Sequence, residues 1–249
     1  MTHDLSKSPV FLVLGGSGGI GQVLCRRLAA QGARLVVAGR NEGTVVSLAR
    51  EFDAGHAVVE AADIDQVDRL VKTVLQEEGR LDGIALLVGS ILLSPAHRTT
   101  EDQWRDVIDA NLTPAFAVAR AAGKHLKQPA SVVLVSSAAA RLGLANHEAI
   151  AAAKAGIEGL ARSAAATYAG RGLRFNVVAP GLVDTPLAAP LLANSASAEA
   201  SRAMHPLGRL GRPEDVASAV AWLLEPANDW VTGQVLGVDG GLATTRSRG

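Results

Sequence analysis

A glycine-rich turn near the start of the chain constrains the fold more than any other feature. Residues 15–21 read Gly-Gly-Ser-Gly-Gly-Ile-Gly, between the apolar run Val10–Leu14 and a stretch with helical periodicity, Ile20–Gln31. Glycines here permit positive φ angles and let backbone N–H groups approach a pyrophosphate at the helix amino terminus. This context favours a dinucleotide site over a flexible loop. Its predicted contacts are Gly15, Ser17, Gly19, Ile20 and Gly21.

Short runs rich in β-branched residues or leucine alternate with helical stretches along the chain. The predicted strands are Val10–Leu14, Arg34–Ala38, His56–Glu60, Ile84–Val88, Ser131–Val135, Arg174–Val178 and Gln234–Val238. The predicted helices are Ile20–Gln31, Ile64–Glu78, Glu101–Lys127, Glu148–Tyr168 and Pro213–Leu224. Such alternation forms right-handed crossover units on a parallel sheet that is covered on both faces. The sequence therefore predicts an α/β fold, with one Rossmann-like, doubly wound domain over residues 1–249.

The charge and the apolar pattern argue against several classes of function. Lys and Arg total 24, Asp and Glu total 24, and the basic residues form no run, so nucleic acid is not an expected partner. No apolar run approaches a membrane span and residues 1–10 carry no signal or lipidation pattern. We therefore expect a cytoplasmic protein without a membrane partner. The lone Cys25 is expected to be a packed thiol, and no histidine has metal-ligand spacing, so no metal site is predicted.

Cofactor selectivity is expected where the second predicted strand ends. An acidic residue there bonds the ribose 2′-hydroxyl of NAD, whereas an arginine accepts the 2′-phosphate of NADP. This chain has Gly39-Arg40, which favours NADP(H) over NAD(H), although Arg40 could also be a solvated turn residue. After the third strand, Asp63-Ile64 could accept a hydrogen bond from the adenine amino group and cap the next helix.

From Val10 to Leu242 the chain resembles the short-chain dehydrogenase/reductases. The motifs that carry the resemblance are Gly15-xxx-Gly19-x-Gly21, Asp63, Asn111 within DANL, Ser136-Ser137, Lys154 within AAAKAG, and the segment from Asn176 to Gly181 that leads to Asp184-Thr185-Pro186. The tail, GRPEDVASAVAWLL and then VTGQVLGVDGG, is similar to the last helix and strand of that family.

The resemblance implies a seven-stranded parallel sheet and a catalytic tetrad of Asn, Ser, Tyr and Lys. By position, Asn111 would support a water relay, Ser137 would polarise the substrate oxygen, and Lys154 would hold the nicotinamide ribose. The nicotinamide end of the cofactor would lie at Gly89, Pro180, Gly181, Val183 and Thr185. The resemblance also implies a homo-oligomer, a tetramer or a dimer, in which the helices Glu101–Lys127 and Glu148–Tyr168 form a dimer face.

Two positions depart from the family pattern. The tyrosine should lie four residues before Lys154, where this chain has Ile150. Isoleucine has no proton to give, and proton transfer from a positioned side chain contributes about 10²–10⁴-fold to a rate. After the fourth strand, the family's Asn-Asn-Ala-Gly is replaced by Leu86-Leu87-Val88-Gly89. The lost asparagines leave backbone groups that need other partners.

His147 is a candidate to replace the tyrosine. It lies seven residues before Lys154, on the same face of the predicted helix. The enoyl-thioester reductases, a branch of the same superfamily, carry their tyrosine at this spacing with an apolar residue at the nearer position. A histidine can donate a proton near neutral pH. The alternative is a polar residue that caps the helix or faces solvent, and a neighbouring lysine ammonium would disfavour the imidazolium.

Residues 186–206 are interpreted as a mobile substrate lid with an apolar lining, because this stretch follows Thr185 and contains several leucines and Met204. The leading hypothesis is an NADPH-dependent reductase that acts on a carbonyl, or on a C=C bond activated by one, of a mainly apolar small molecule. The second hypothesis is a catalytically silent member that binds NADP(H) as a sensor or a structural subunit. Only the proton donor separates them.

Overall fold

Seven parallel strands form one sheet in the computed structural model, which describes residues 8–245. The strands are β1 (Val10–Leu14), β2 (Arg34–Gly39), β3 (Gly55–Val58), β4 (Gly83–Leu86), β5 (Ala130–Val135), β6 (Leu173–Pro180) and β7 (Val235–Val238), in the spatial order β3-β2-β1-β4-β5-β6-β7. Their ends lie within two residues of the predicted ends. The predicted α/β class and the doubly wound, Rossmann-like sheet are confirmed.

Eight α-helices connect the strands within residues 8–245. They are α1 (Gly19–Ala30), α2 (Glu42–Glu51), α3 (Ile64–Glu78), α4 (Glu101–His125), α5 (Glu148–Tyr168), α6 (Ala189–Leu192), α7 (Ser195–Met204) and α8 (Pro213–Leu224). Helices α3, α5 and α8 have the predicted bounds. Helix α4 ends at His125 rather than Lys127, because Leu126 leaves the helical conformation and is buried.

Helices α2, α6 and α7 are not among the predicted elements. Helix α2 forms because the Asn41 side chain accepts a hydrogen bond from the Thr44 N–H at 3.0 Å, and because Val45 and Leu48 lie one turn apart and are buried. This helix is not predicted from the sequence because Gly43 and the β-branched residues that follow it have low helix propensity. Helices α6 and α7 lie within the segment interpreted as a lid, which is therefore mostly helical.

The sheet separates two apolar layers. On one face Leu12, Ile84 and Val132 pack in the cluster that also takes residues of α3, α4 and α5. On the other face the strands pack against residues of α1, α2 and α8, including the fully buried Cys25. Burial raises the pKa of the Cys25 thiol to about 12. This confirms the prediction of a packed thiol.

The strand order reverses between β1 and β4, since β1 pairs with both β2 and β4. The chain connections diverge at such a point and leave a crevice beyond the carboxyl ends of the strands. Residues that directly follow Leu14, Gly39, Leu86, Val135 and Pro180 all lie along this edge. The fold thereby gathers the residues singled out in the sequence.

No helix within residues 8–245 is long and apolar enough to cross a membrane. In the same part of the chain, no group of three or more His, Cys, Asp or Glu side chains could hold a metal ion.

Candidate active site

The turn between β1 and α1 is a cradle that requires glycine. Gly15 has a φ of +82°, and a Cβ added to Gly21 would lie 2.3 Å from the Gly15 carbonyl oxygen and 2.6 Å from that of Gly16. No side chain caps the amino terminus of α1. An anion at this place would accept hydrogen bonds from the first N–H groups of the helix and meet the positive end of its dipole. The cradle therefore fits a pyrophosphate, and residues 15–21 lie in it together.

The carboxyl end of β2 adjoins this cradle. A Cβ built on Gly39 would lie 3.5 Å from the Ser17 hydroxyl oxygen. Arg40 follows directly and is exposed, and within the described residues no carboxylate forms an ion pair with its guanidinium. The guanidinium is therefore available to an anion at the ribose end of a dinucleotide.

Asp63 caps helix α3, as predicted. Its Oδ1 accepts hydrogen bonds from the Gln66 N–H at 2.9 Å and the Asp65 N–H at 3.0 Å, while Oδ2 accepts from the Gln66 side chain at 2.8 Å. These bonds, the Gln66 N–H first, lower the pKa of the Asp63 carboxyl below its ordinary value. Ile64 begins the helix and packs against the core. The carboxylate is fixed at the sheet edge, while its contact with adenine stays a prediction.

The end of β5 places two serines with different roles. Ser136 is buried, and its hydroxyl lies 3.0 Å from the Lys154 carbonyl oxygen and 3.1 Å from Glu158 Oε1. Ser137 is half-buried, and its Oγ accepts a hydrogen bond from the Ala139 N–H at 3.1 Å. The Ser137 hydroxyl proton is thus left to donate to a substrate oxygen. Ser136 instead ties β5 to α5.

Lys154 reaches the same edge from α5 and is only 6% exposed. Its Nζ donates to the Val135 carbonyl oxygen at 3.1 Å, and no carboxylate forms an ion pair with it within residues 8–245. Burial lowers the pKa of Lys154 from its ordinary value to about 8. An uncompensated buried cation with a perturbed pKa is typical of a functional site.

Asn111 and Gly89 complete the group around Lys154. A Cβ added to Gly89 would lie 2.9 Å from Asn111 Oδ1 and 3.2 Å from Lys154 Nζ, so only glycine lets these atoms approach the backbone here. Asn111 is 1% exposed; its Oδ1 accepts from the Ser90 N–H at 3.2 Å and its amide donates to Ser90 Oγ at 3.0 Å and Val107 O at 2.9 Å. Ser90, which the sequence analysis did not identify, thus supplies polar contacts where the family's asparagines are absent.

Ile150 and His147 lie one and nearly two turns before Lys154. Ile150 is 5% exposed and packs in an apolar cluster with Val107, Leu92 and Leu112. His147 is the residue that precedes α5, but its side chain does not cap the helix. Its Nδ1 lies 2.8 Å from the Ala145 carbonyl oxygen, and its ring makes no hydrogen bond with Ser137 or Lys154. The structure therefore brings Asn111 and Lys154 together beside Gly89 and places Ser137 at the same edge, two residues after the carbonyl that Lys154 contacts, but it does not connect His147 to them.

The segment after β6 closes the site against the glycine cradle. A Cβ on Gly19 would lie 3.2 Å from both Thr185 Cγ2 and Pro186 Cδ, so the two segments are in contact. Val183 is buried and pairs with Gly211 in an isolated bridge. The predicted nicotinamide segment, Pro180–Thr185, therefore lies beside the predicted pyrophosphate turn.

Two further groups support the site and were not identified from the sequence. His205 is 3% exposed; its Nδ1 lies 2.6 Å from the Ser201 carbonyl oxygen, and its Nε2 accepts from the Leu182 N–H at 3.2 Å. It joins the end of α7 to the segment after β6. The buried Glu158 accepts from Arg141 at 3.1 Å and holds the loop after β5 onto α5. In the sequence, the local signal that could have indicated the ion pair of Glu158 and Arg141 is a glutamate on the buried face of an alanine-rich helix.

Tyr168, the chain's one tyrosine, lies far from this group. Tyr168 is the last residue of α5. Its ring packs against Phe175 in a tilted arrangement, with ring centroids 5.7 Å apart, and the Arg171 guanidinium lies over the ring, 4.8 Å from its centroid. These contacts give Tyr168 a structural role at the end of α5.

Comparison with known proteins agrees with this geometry. Residues 15–243 match the family described as enoyl-(acyl carrier protein) reductase. The chain is 39% identical over 239 residues to the cis-4-hydroxycyclohexanecarboxylate dehydrogenase of Sinomonas cyclohexanicum, covering 93% of this chain and 95% of the relative. It is 35% identical over 249 residues to 3beta-hydroxysteroid dehydrogenase 1 of Eggerthella lenta, covering 96% and 95%.

A solved structure of an actinorhodin polyketide ketoreductase variant with NADPH superposes with a TM-score of 0.88 at 28% identity, covering 96% of this chain and 98% of that one. The matched region includes every residue of the site described above. The chain belongs to the short-chain dehydrogenase/reductase family of oxidoreductases.

Proposed function

We propose that this protein is an NADP(H)-dependent oxidoreductase that reduces a carbonyl group, or a C=C bond activated by one, on a mainly apolar small molecule. The observation that carries the proposal is the meeting of Ser137, Lys154 and Asn111 at the sheet edge that also holds the glycine cradle. A protein that only binds the cofactor would keep Lys154 for the ribose but would have no need of the Ser137 hydroxyl at this edge.

Along the sheet edge, successive residues would bind successive parts of the dinucleotide. The cradle would hold the pyrophosphate, Arg40 the 2′-phosphate, Asp63 and Ile64 the adenine, Lys154 the ribose, and Gly89, Pro180, Gly181, Val183 and Thr185 the nicotinamide end. A bound reduced nicotinamide supplies a hydride to the substrate. Ser137 donates its hydroxyl proton in a hydrogen bond to the substrate oxygen and so stabilises the negative charge that develops there.

The substrate class follows from the segment 186–206, which we propose as a lid. Leu187, which precedes α6, and Met204, which ends α7, are 53% and 47% exposed, and His205 anchors the end of this segment beside Leu182. Apolar side chains held over a site indicate an apolar substrate surface. The names of two relatives, a hydroxycyclohexanecarboxylate dehydrogenase and a hydroxysteroid dehydrogenase, support a ring alcohol or ketone.

Ile150 favours the second candidate function, a silent binder of NADP(H). It fills the position one turn before Lys154 with an apolar group that packs on Val107. A silent member would keep the cradle and bind the cofactor equally well. The two functions differ only in turnover.

A substrate screen tests the proposal. NADPH absorbance would be followed with cyclic ketones, enones and enoyl thioesters, and NADP⁺ reduction with ring alcohols, with the Lys154→Ala protein as the control. We expect at least one class to turn over in the natural protein and the rate to fall in the control. Tight NADPH binding without turnover across the panel would favour the silent binder.

Arg40 is expected to set the cofactor preference. Replacing it with alanine removes the one cation that directly follows β2, and we expect the NADPH dissociation constant to rise about tenfold, about 1.4 kcal/mol, because the guanidinium is exposed and its charge is partly screened. The NADH constant should change less than twofold. Fluorescence titration of both cofactors measures this, with Arg27→Ala on α1 as the control. Equal losses for NADPH and NADH would contradict the assignment.

A homo-oligomer is expected through the face of α4 and α5. Phe116 on α4 is 47% exposed beside a groove of about 470 Å³ that residues of both helices line, including Leu160 and Tyr168. Light scattering should give a multiple of the 25.6 kDa protomer mass. Phe116→Glu should reduce the mass measured by light scattering. Val58→Glu should not, because Val58 is a similarly exposed apolar residue that lies on β3, away from this face. A natural protein that scatters as a monomer at micromolar concentration would refute this interface.

A further inference from the structure

Lys154 is the ionisable member of the group that includes Asn111 and Ser137, and the family resemblance gives it the nicotinamide ribose to hold but no proton to exchange with the substrate. Lys154 Nζ has three N–H groups, and one of them donates to the Val135 carbonyl oxygen at 3.1 Å. Lys154 is 6% exposed, and no carboxylate pairs with its ammonium in the described part of the chain. A buried charge without an ion-pair partner lowers the free energy of unfolding. A group kept at such a cost is a candidate for chemistry.

His147 is poorly suited to give a proton. Its Nδ1 is 2.8 Å from the Ala145 carbonyl oxygen, and a carbonyl can only accept, so Nδ1 carries a hydrogen. In the neutral imidazole the other nitrogen, Nε2, is then an acceptor. Neutral His147 therefore has no free N–H to offer a substrate, and its ring has no hydrogen bond to the group around Lys154.

Ile150 and Ser137 leave the proton source open. Ile150 is apolar and packed against Leu92 and Leu112. Ser137 can polarise a substrate oxygen through its hydroxyl, but among residues 8–245 this hydroxyl has only the Ala139 N–H as a partner, and no base there contacts it to accept or resupply a proton. Lys154 belongs to the same group, because its Nζ bonds to the residue two before Ser137 and lies beside Gly89.

We propose that Lys154 itself exchanges the proton with the substrate oxygen, as general acid in reduction and, as the neutral amine, general base in oxidation. This rests on the oxidoreductase function proposed above. In reduction the carbonyl carbon gains a hydride from a reduced nicotinamide, which is thereby oxidised. The electron pair of the C=O π bond moves to the oxygen, an Nζ–H bond breaks, and an O–H bond forms. Solvent then returns a proton to the neutral amine.

The environment of Lys154 poises it for this exchange. Burial lowers the pKa of its ammonium to about 8, so at pH 7 the group is mostly protonated and can release a proton without a large penalty. The groups that face it are the neutral Val135 carbonyl and the Asn111 amide, and the nearby Glu158 carboxylate is engaged by Arg141 and Ser136. Reduction should therefore slow as the pH rises through about 8, and oxidation should accelerate over the same interval.

The first test measures the proton on Lys154 directly and needs no substrate. In the cofactor-free protein labelled with ¹³C at lysine Cε, the Lys154 resonance is identified by its absence in Lys154→Arg and in Lys154→Gln. We expect it to titrate near pH 8, well below the reference value of about 10.4 for a lysine side chain in water. A Lys154 resonance that titrates near pH 10 would overturn the proposal.

The second test uses the substrate from the screen. Lys154→Arg keeps a cation and hydrogen-bond donors but cannot release a proton near neutral pH. At saturating NADPH, so that any change in cofactor affinity is removed, we expect turnover to fall about 100-fold and the pH limb near 8 to vanish. His147→Gln should keep more than half of the turnover and the same limb. If the pH profile is unchanged in Lys154→Arg, or if the limb near pH 8 is lost in His147→Gln, the proposed role of Lys154 is wrong. The oxidoreductase function would not be affected by that outcome. Absence of turnover in every protein overturns the oxidoreductase function and this role with it.

Discussion

Gly21→Ala is expected to raise the NADPH dissociation constant at least 100-fold. The added Cβ would lie 2.3 Å from the Gly15 carbonyl oxygen and 2.6 Å from that of Gly16, distances that no real Cβ tolerates. Both obstacles are backbone atoms, so the turn itself must move rather than a flexible side chain. The same turn aims the first N–H groups of α1 at the pyrophosphate, and a shift of about 1 Å there would misalign several charge-assisted hydrogen bonds together.

The loss of affinity would correspond to about 2.7 kcal/mol, and overpacking of the turn should lower the free energy of unfolding by about 1–3 kcal/mol. Fluorescence titration and thermal unfolding measure the two effects. Gly170→Ala is the matched control, because nothing lies within 4 Å of its added Cβ and its φ is not in the left-handed region. A Gly21→Ala protein that binds NADPH as the natural protein does would remove the cradle from the cofactor site.

Helix α3, whose bounds the sequence predicts, has both ends marked by local chemistry. Helix α3 begins after Asp63, whose carboxylate accepts two backbone N–H bonds, and ends at Gly79, whose φ of 72° suits glycine. Helix α2 has the cap Asn41 but also Gly43, so its signals conflict. The lid helices α6 and α7 are short, and their periodicity is too brief to be recognised in the sequence.

The site divides in the same way. Residues 15–21 are contiguous and carry their own signal, so the cradle could be predicted from the sequence. The partners that hold the catalytic group come from distant parts of the chain: Ser90 meets Asn111 across 21 residues, and His205 meets Leu182 across 23. Neither pair leaves a periodic or spaced pattern. His147 is a candidate from helix spacing, from the resemblance to the enoyl-thioester reductases and from the chemistry of histidine, but the structure gives that ring a local carbonyl as its partner.

The structure also answers the question raised by the missing asparagines after β4. The Leu87 N–H donates to the Leu14 carbonyl oxygen at 2.8 Å, so the parallel pairing with β1 continues at this point. The Ser90 N–H is taken by Asn111 Oδ1 at 3.2 Å. The Leu87 and Ser90 N–H groups therefore both have acceptors with leucines at 86 and 87. What the sequence change removes is polar side chains, and not the geometry of the strand.

Ile150→Tyr is expected to raise carbonyl reduction about 10- to 100-fold. The new phenol would lie one helical turn before Lys154, whose ammonium should lower the phenol pKa from about 10 toward the working range. A positioned acid contributes about 10²–10⁴-fold, and we expect a gain at or below the lower end of that range because, under the proposal above, Lys154 would already supply a proton in the natural protein. Tenfold corresponds to about 1.4 kcal/mol of activation free energy, so a phenol that is partly misplaced would still be measurable.

Packing opposes this gain. Ile150 is 5% exposed between Leu92 and Val107, and the larger ring should lower the free energy of unfolding by about 1–3 kcal/mol. Ile150→Phe is the matched control because it has the same ring without the hydroxyl, and it should share the loss of stability and show no gain in rate. Measurement of kcat/KM with one ketone for the three proteins separates the two effects.

The pH profile decides which group then gives the proton. In the natural protein we expect the alkaline limb of reduction to follow Lys154, whose pKa is about 8. In Ile150→Tyr the proton would pass from the phenol, and Lys154 would stay charged and lower the pKa of that phenol. An arginine also keeps its charge. Lys154→Arg should therefore reduce the turnover of Ile150→Tyr much less than the 100-fold expected in the natural protein. Equal rates for Ile150→Tyr and Ile150→Phe would mean that the phenol does not reach the substrate oxygen and that Ile150 does not stand in the place of the family's tyrosine.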